Sequence, residues 1–430
     1  KINTMFWPQG EGDYRMQNPY WIAYRNLRLN QKKRYMLSAQ LSYDITDWLN
    51  ISGRVRVDNT HTKYEQKLYA SSNLTITEES TQGHYTISKP DETQTYADVL
   101  ANINKRFNDF SLVANVGASI VNNRYEDLSY RGPIREKGIP NVFNVFDLDN
   151  TKKKARQDEW QEQTQSVFAS VEVGWKSMLY LTLTGRNDWA SQLANSSTPC
   201  FFYPSVGLSG VISEMLTLPE FIDYMKVRGS FSSVGMPYPR NLTSPTYEYD
   251  EANQQWKPKT HYPIKDLKPE RTNSWELGLD MRLFKDFSLG FSWYLANTFN
   301  QTFDPKVSVS SGYSKIYLQT GYVRNSGVEL SLGYGHTWNN HLHWESNFTL
   351  SHNKNTIKDL VTSYIHPETG LPITQNRLDV GGLGKARFIL KKGGTLGDLY
   401  TQSDLKRDNN GMVEIDPSGA LTTEDNLPDI

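Results

Sequence analysis

The chain of 430 residues has a single cysteine, Cys200, so it can form no intrachain disulfide. One thiol does not fix the compartment, because bacterial envelope proteins need no disulfides. No apolar run reaches the roughly 18 residues that a bilayer-crossing helix needs. That excludes a helical span but not spanning strands, whose signal per segment is far weaker. Net charge is nearly absent: 46 Lys and Arg against 47 Asp and Glu give −1. That balance removes the electrostatic footprint of a dedicated nucleic-acid binder, so no nucleic-acid partner is expected. The sequence lacks GxSxG, HExxH and Walker A patterns, so no catalytic residue, no enzyme activity and no cofactor are expected. Lys1 is not an initiator methionine and no signal peptide follows it, so the chain reads as a mature or truncated piece.

Two local patterns suggest metals and neither holds. His341 and His343 flank Leu342 at strand spacing, yet they sit in a polar turn beside Trp338, and no metal site is assigned to them. Asp408–Gly411 reads DNNG, like the middle of a calcium loop. The first and last ligand positions would then fall on Lys406 and Pro417, where carboxylates are needed, so a hairpin turn is expected instead.

Aromatic residues are plentiful. They make up 12% of the chain, with 25 Tyr and 11 Trp, although hydrophobic residues reach only 37% and mean hydropathy is −0.62. Much of the apolar content alternates with polar residues. Tyr35, Leu37, Ala39, Leu41, Tyr43 and Ile45 are separated by Ser38, Gln40, Ser42 and Asp44. After a short turn, Leu49, Ile51, Val55 and Val57 alternate with Asn50, Ser52, Arg54 and Arg56. The pattern recurs to Asn353, predicting roughly twelve two-faced strands of about 10 residues.

Connections alternate in length. TDW, FNDF, WKSM, FKDF and WNNH are tight turns rich in aromatics. Between them lie polar segments expected as long loops, roughly residues 60–92, 131–159, 236–271 and 301–324. Ser213–Tyr224, a longer connection on the short side, is expected to hold a helical turn opened by Pro219. None of the apolar faces carries Asp, Glu, Lys or Arg. Bilayer-crossing strands, short turns at one end, long loops at the other and aromatic girdles together predict an all-β, antiparallel transmembrane β-barrel. Such a barrel sits in the bacterial outer membrane, with its apolar face in contact with outer-membrane lipid, and it must close because lipid cannot satisfy an open sheet edge.

Several stretches resemble a known family. They are LKPERTNSWELGLDMRLF (Leu267–Phe284), GRNDWASQL (Gly185–Leu193), FYPSVGLSGVISE (Phe202–Glu214), LPEFIDYMKVRGSFSSVG (Leu218–Gly235), RNSGVELSLGY (Arg324–Tyr334) and NFTLSHNKNTIKDL (Asn347–Leu360). Taken in chain order they resemble the SusC/RagA-type TonB-dependent transporters of Bacteroidetes. The resemblance implies a plugged barrel of about 22 strands and import of oligosaccharides or peptides. It also implies a SusD-like surface lipoprotein as partner and energy from the TonB complex. Residues 1–430 are then expected to be a partial barrel domain, with the plug, the TonB box and the closing strands outside the chain. Two other readings compete: a passive porin or outer-membrane adhesin, and a soluble glycan-binding β-sandwich.

The polar face supplies candidates for a lumen wall: Arg54, Arg56, Arg186, Arg228, Glu276, Asp280 and Arg282, with both signs interleaved. Aromatic residues in the polar segments are substrate-contact candidates, because ring faces stack on sugar C–H faces. They are Trp7, Tyr20, Trp21, Tyr247, Tyr249, Trp256 and Tyr262.

Overall fold

The computed structural model describes residues 18–194, 196–242, 247–250, 255–258, 261–262, 268–303, 315–316, 318–338, 341–365, 372–375, 377–383, 386–401 and 403–425. A short helix, α1 (Pro19–Arg25), opens with Pro19 in its first turn and the Asn18 side chain accepting from Tyr20 N at 3.0 Å. The long strands follow: β1 (Asn26–Thr46), β2 (Leu49–Tyr69), β3 (Gly83–Ser88), β4 (Asp91–Phe107), β5 (Phe110–Pro133) and β6 (Lys154–Trp175). Next are β7 (Leu179–Ala190), β8 (Cys200–Val211), β9 (Ile222–Met236), β10 (Glu270–Leu283), β11 (Phe287–Phe303), β12 (Leu318–Trp338) and β13 (Leu342–Asp359). Short strands such as Tyr247–Asp250, Gln255–Pro258 and His261–Tyr262 lie between them.

The chain divides into two compact units. The first holds residues 1–101, 117–167 and 249–256; the second holds 102–116, 168–248 and 257–430. In the first, the strand order is β1-β2-β3-β5-β6, with β4 against β2 and β5. In the second, β7 to β13 follow one another in chain order. Antiparallel register keeps the faces aligned. Leu37 lies opposite Val57, Ala39 opposite Val55 and Tyr43 opposite Ile51, while Gln40 meets Arg54 and Ser38 meets Arg56. In the second unit Leu277 meets Trp293, which meets Val328; Leu279 meets Phe291, which meets Leu330, which meets Leu350. One slip of a residue would send every one of these side chains to the other face.

The apolar face is uncovered. Leu41 is 79% exposed, Leu37 67% and Tyr43 70%. A monomer in water rarely shows so long an apolar surface; a bilayer covers it. Among the described residues no helix is long and apolar enough to cross a membrane, so any crossing is made by strands.

The described short turns lie where the sequence places them, and Asn339 and Asn340 of WNNH lie outside the described residues. Trp175–Met178 closes with Met178 N donating to Trp175 O at 2.9 Å, and Lys176 and Ser177 both take positive φ, 51° and 59°. Two left-handed central residues make a type I′ hairpin turn, whose twist matches the flanking strands. Phe284 and Lys285 repeat the pattern, with φ of 51° and 63°. Adjacent turns are laced together: Lys176 N donates to Asp109 O at 2.7 Å, and Phe284 N to Phe221 O at 2.9 Å.

Three expectations are corrected. Except for β3, the strands run 12 to 24 residues rather than about 10, because they continue past the apolar belt. Just over half of residues 60–92 is therefore strand: β2 reaches Tyr69, β3 and the start of β4 occupy the end of the stretch, and residues 70–82 form the loop between. The helical turn is α2 (Ile212–Met215), which precedes Pro219 instead of starting at it. At Asp408–Gly411 the expected turn forms, Gly411 N donating to Asp408 O at 2.9 Å with Gly411 at φ 81°. His343 Nδ1 lies 2.9 Å from Thr337 Oγ1.

The loops at the other end carry their own small cores. In the first unit Ile134, Leu148 and Thr77 are fully buried, and Ser80 Oγ donates to Ile134 O at 2.7 Å. In the second, Val323, Ile357, Leu360, Leu378 and Leu390 form one buried cluster. Each such side chain contributes about 1.5–3 kcal/mol by leaving water, which holds the hairpin of Arg377–Leu383 and Ala386–Lys391 onto the outer ends of β12 and β13.

Candidate functional site

Every charged candidate named from the sequence falls on the face opposite the apolar one. Period-two geometry requires this: Arg228 neighbours Val227 and Gly229 in sequence, so it points away from them.

In the first unit, Arg54 Nε and Nη2 donate to Asp98 Oδ2 at 2.9 and 2.6 Å, and its guanidinium stands 5.2 Å from the Tyr96 ring centroid. Arg56 lies 5.4 Å from the same ring, and its Nη2 donates to Gln94 Oε1 at 3.2 Å. Gln94 passes the chain on to Asn123 Oδ1 at 3.0 Å. Farther toward the loops, Tyr125 and Trp160 stack at 5.4 Å with their planes 12° apart. The result is a polar wall interrupted by rings, able both to hydrogen-bond and to stack.

In the second unit, Arg186 Nε donates to Asp188 Oδ1 at 2.8 Å, Tyr203 donates to the other carboxylate oxygen, and the guanidinium lies 5.4 Å from the Phe168 ring. Phe168, Arg186, Tyr203 and Ser232 border a recess of about 280 Å³. Arg228 Nη1 donates to Asp280 Oδ2 at 3.2 Å, and Nη2 to Glu276 Oε1 at 3.4 Å and Ser292 Oγ at 2.9 Å. A second recess of about 350 Å³ lies over Asp280, Ser292, Glu329, Ser331 and Ser351. Small side chains on β11, β12 and β13 make that space. Arg282 lies on the same face, opposite Tyr224 and Ser288.

The loop candidates fare differently. Trp21 is corrected: it is only 4% exposed, and its Nε1 donates to Ser72 Oγ at 3.0 Å, so it packs α1 down and offers no ring to a ligand. An amphipathic helix of seven residues needs such an anchor to persist. Tyr20 is 54% exposed and Trp256 68%. Tyr247, Tyr249 and Tyr262 lie on the short strands Tyr247–Asp250 and His261–Tyr262. Trp7 lies outside the described residues.

Sequence reasoning missed Tyr96, Tyr125, Trp160, Phe168 and Tyr203, which share the polar face with the arginines. The signal was present: each falls on the polar phase of its strand, where a barrel exterior would not place it. Among the described residues no group of three or more His, Cys, Asp or Glu is arranged to hold a metal ion.

Comparison with known proteins fits this architecture. The family described as TonB dependent receptor-like, beta-barrel matches residues 3–416. The TonB-dependent receptor P39 of Formosa agariphila is 23% identical over 339 residues, covering 75% of this chain and 30% of the relative. The TonB-dependent receptor P26 of the same organism is 26% identical over 226 residues, 50% of this chain and 23% of the relative. The structure of the RagAB peptide transporter superposes with a TM-score of 0.72 at 16% identity, over 96% of this chain and 44% of that one. The chain thus spans less than half the length of each. A match over nearly the whole chain, on strands with one apolar and one charged face, leaves one conclusion: this chain belongs to the TonB-dependent receptor-like β-barrel family and is an all-β segment of a protein of the bacterial outer membrane.

Proposed function

We propose that this segment forms the middle of a plugged barrel of about 22 strands that imports oligosaccharides or peptides across the outer membrane. A SusD-like surface lipoprotein delivers the cargo and the TonB complex supplies energy through a plug and TonB box elsewhere in the complete protein. The polar face, including Arg54, Arg56, Arg186, Arg228, Glu276, Asp280 and Arg282, is the lumen wall.

The observation that carries this reading is a polar face on which arginines are paired with acids of the same chain. Arg54, Arg186 and Arg228 each hold a carboxylate 2.6–3.4 Å away. Such paired charges keep the wall wet and weaken the field it presents to neutral or mixed-charge cargo. Interleaved rings at Tyr96 and Tyr125 add surfaces on which sugar rings or peptide side chains stack.

The test is uptake by cells carrying the complete protein. Labelled oligosaccharides and labelled peptides are offered separately, with the proton gradient intact and then collapsed. Accumulation of one class that stops when the gradient collapses supports the importer. Entry that continues without the gradient identifies a passive porin. No uptake together with monomeric behaviour in detergent-free buffer returns the soluble glycan-binding reading.

A further inference from the structure

The membrane face ends, toward the long loops, in a repeated feature of the second unit. On β12 the last apolar outward residue is Val328, and Arg324 lies four residues farther out. On β13 it is Leu350, and Lys354 lies four farther on. On β10 it is Trp275, and Arg271 lies four farther out. Equivalent positions on β8 and β11 hold Phe202 and Phe299. Trp338 to Val328 is ten residues, about 23 Å of bilayer height for a strand tilted about 45°. That matches the apolar band of about 25 Å expected of such barrels. Four further residues add about 9 Å, so these cations stand at the headgroup level.

Their partners are neutral. Arg324 Nε donates to Asn297 Oδ1 at 2.9 Å and Nη2 to Tyr322 Oη at 2.6 Å; Tyr322 itself stacks on Phe299 at 4.8 Å. Arg271 donates to Ser233 Oγ at 3.2 Å and to Phe202 O at 3.0 Å. Lys354 is exposed and has no carboxylate within ion-pair distance among the described residues. Asp359, farther along β13, lies 3.7 Å from Lys392 Nζ. The first unit shows the contrast. Arg124 sits at the same offset, four residues beyond Ile120, but pairs with Glu126.

We propose that Arg271, Arg324 and Lys354 form a headgroup-level site that binds the phosphate groups of the anionic glycolipid in the outer leaflet. Three positive charges, two of them fixed by neutral acceptors, complement phosphate at the depth where phosphate resides. Phe202, Phe299 and Tyr322 are the amphipathic or apolar rings that seat at the same level. The phosphate belongs to the lipid, because the site opens sideways onto the apolar belt.

The test measures binding of bis-phosphorylated lipid A to the complete protein in detergent by native mass spectrometry. Dephosphorylated lipid A and inorganic phosphate alone are the comparison probes. Each cation near an anionic headgroup is worth about fivefold in affinity. The combined variant Arg271→Gln, Arg324→Gln and Lys354→Gln is therefore expected to lose roughly a hundredfold for lipid A, while Arg124→Gln changes nothing. Each variant is checked for the heat-modifiable gel shift of a folded barrel; should the triple variant fail it, Arg324→Gln alone is read, with an expected loss of about fivefold. Equal binding of dephosphorylated lipid, wild-type affinity in the folded variant, or equal retention of inorganic phosphate alone would overturn the proposal.

Discussion

Arg54, Arg186 and Arg228 on the polar face each meet a carboxylate, whereas Arg271 and Arg324 at the outer end of the membrane face meet only neutral oxygens. One residue type thus has two environments within one kind of sheet. Three arginines of the polar face find their acid within the chain, while Arg56 on the same face makes do with Gln94 and the Tyr96 ring. The rim can leave its charges to the membrane. A guanidinium with no acid beside it, placed where a bilayer supplies phosphate, is matched by its solvent instead of by its own chain.

The strongest way to break the comparison is to place an arginine where neither answer exists. Leu41 lies near the middle of the apolar stretch Tyr35–Ile45 of β1 and is 79% exposed there. Leu41→Arg should destabilise the complete protein in lipid by roughly 2–4 kcal/mol. Gln40→Arg, one residue away on the polar face beside Arg54, should cost well under that. Urea unfolding in liposomes measures both. Similar losses for the two variants would show that the faces are not what the register implies.

A smaller effect comes from removing a matched charge. Arg228→Ala leaves Glu276 and Asp280 facing each other without their cation. All three side chains are 40–47% exposed, so the expected loss is about 0.5–1 kcal/mol and no more. Adding Asp280→Ala should recover part of it. Arg324→Ala, measured in the same detergent without glycolipid, should cost only its hydrogen bonds to Asn297 and Tyr322. If both arginines cost the same and neither responds to removal of a nearby acid, the two environments do not differ energetically.

Much of this arrangement was legible beforehand. The face of each strand, the position of each tight turn and the charged candidates all follow from alternation with a period of two. What escaped has physical causes. Past the apolar belt both faces of β2 and β4 are polar, Thr60, His61, Thr62 and Lys63 in a row, so alternation disappears and strand reads as loop. Trp21 is buried by Ser72, 51 residues away, a contact that no local pattern announces. Pro219 suggested a helix start, but the turn at Ile212–Met215 forms just before it. The acids that neutralise Arg54 and Arg186 come from β4 and from two residues along the same strand, and only the fold shows which arginines lack such a partner.

Asn297→Asp sharpens the comparison from the other side. The replacement is nearly isosteric and sets a carboxylate where Arg324 Nε now donates to an amide oxygen at 2.9 Å. The rim arginine then acquires a polar-face environment. Stability in detergent should rise by about 0.2–1 kcal/mol, as for an exposed ion pair. Discrimination between phosphorylated and dephosphorylated lipid A should fall at the same time. A gain in stability without that fall would separate the ion pair from lipid binding.

The smallest expected effect converts the first unit into the second. Arg124 on β5 pairs with Glu126. That acid screens this rim cation. Glu126→Gln should free it, and binding of phosphorylated lipid A should rise by about twofold, less than a full cation's worth because the Arg124 side chain is already 62% exposed to water. Added Arg124→Gln should erase the gain. A rise that survives loss of Arg124 would come from the lost negative charge alone, and the fixed guanidinium would then not be what the lipid recognises.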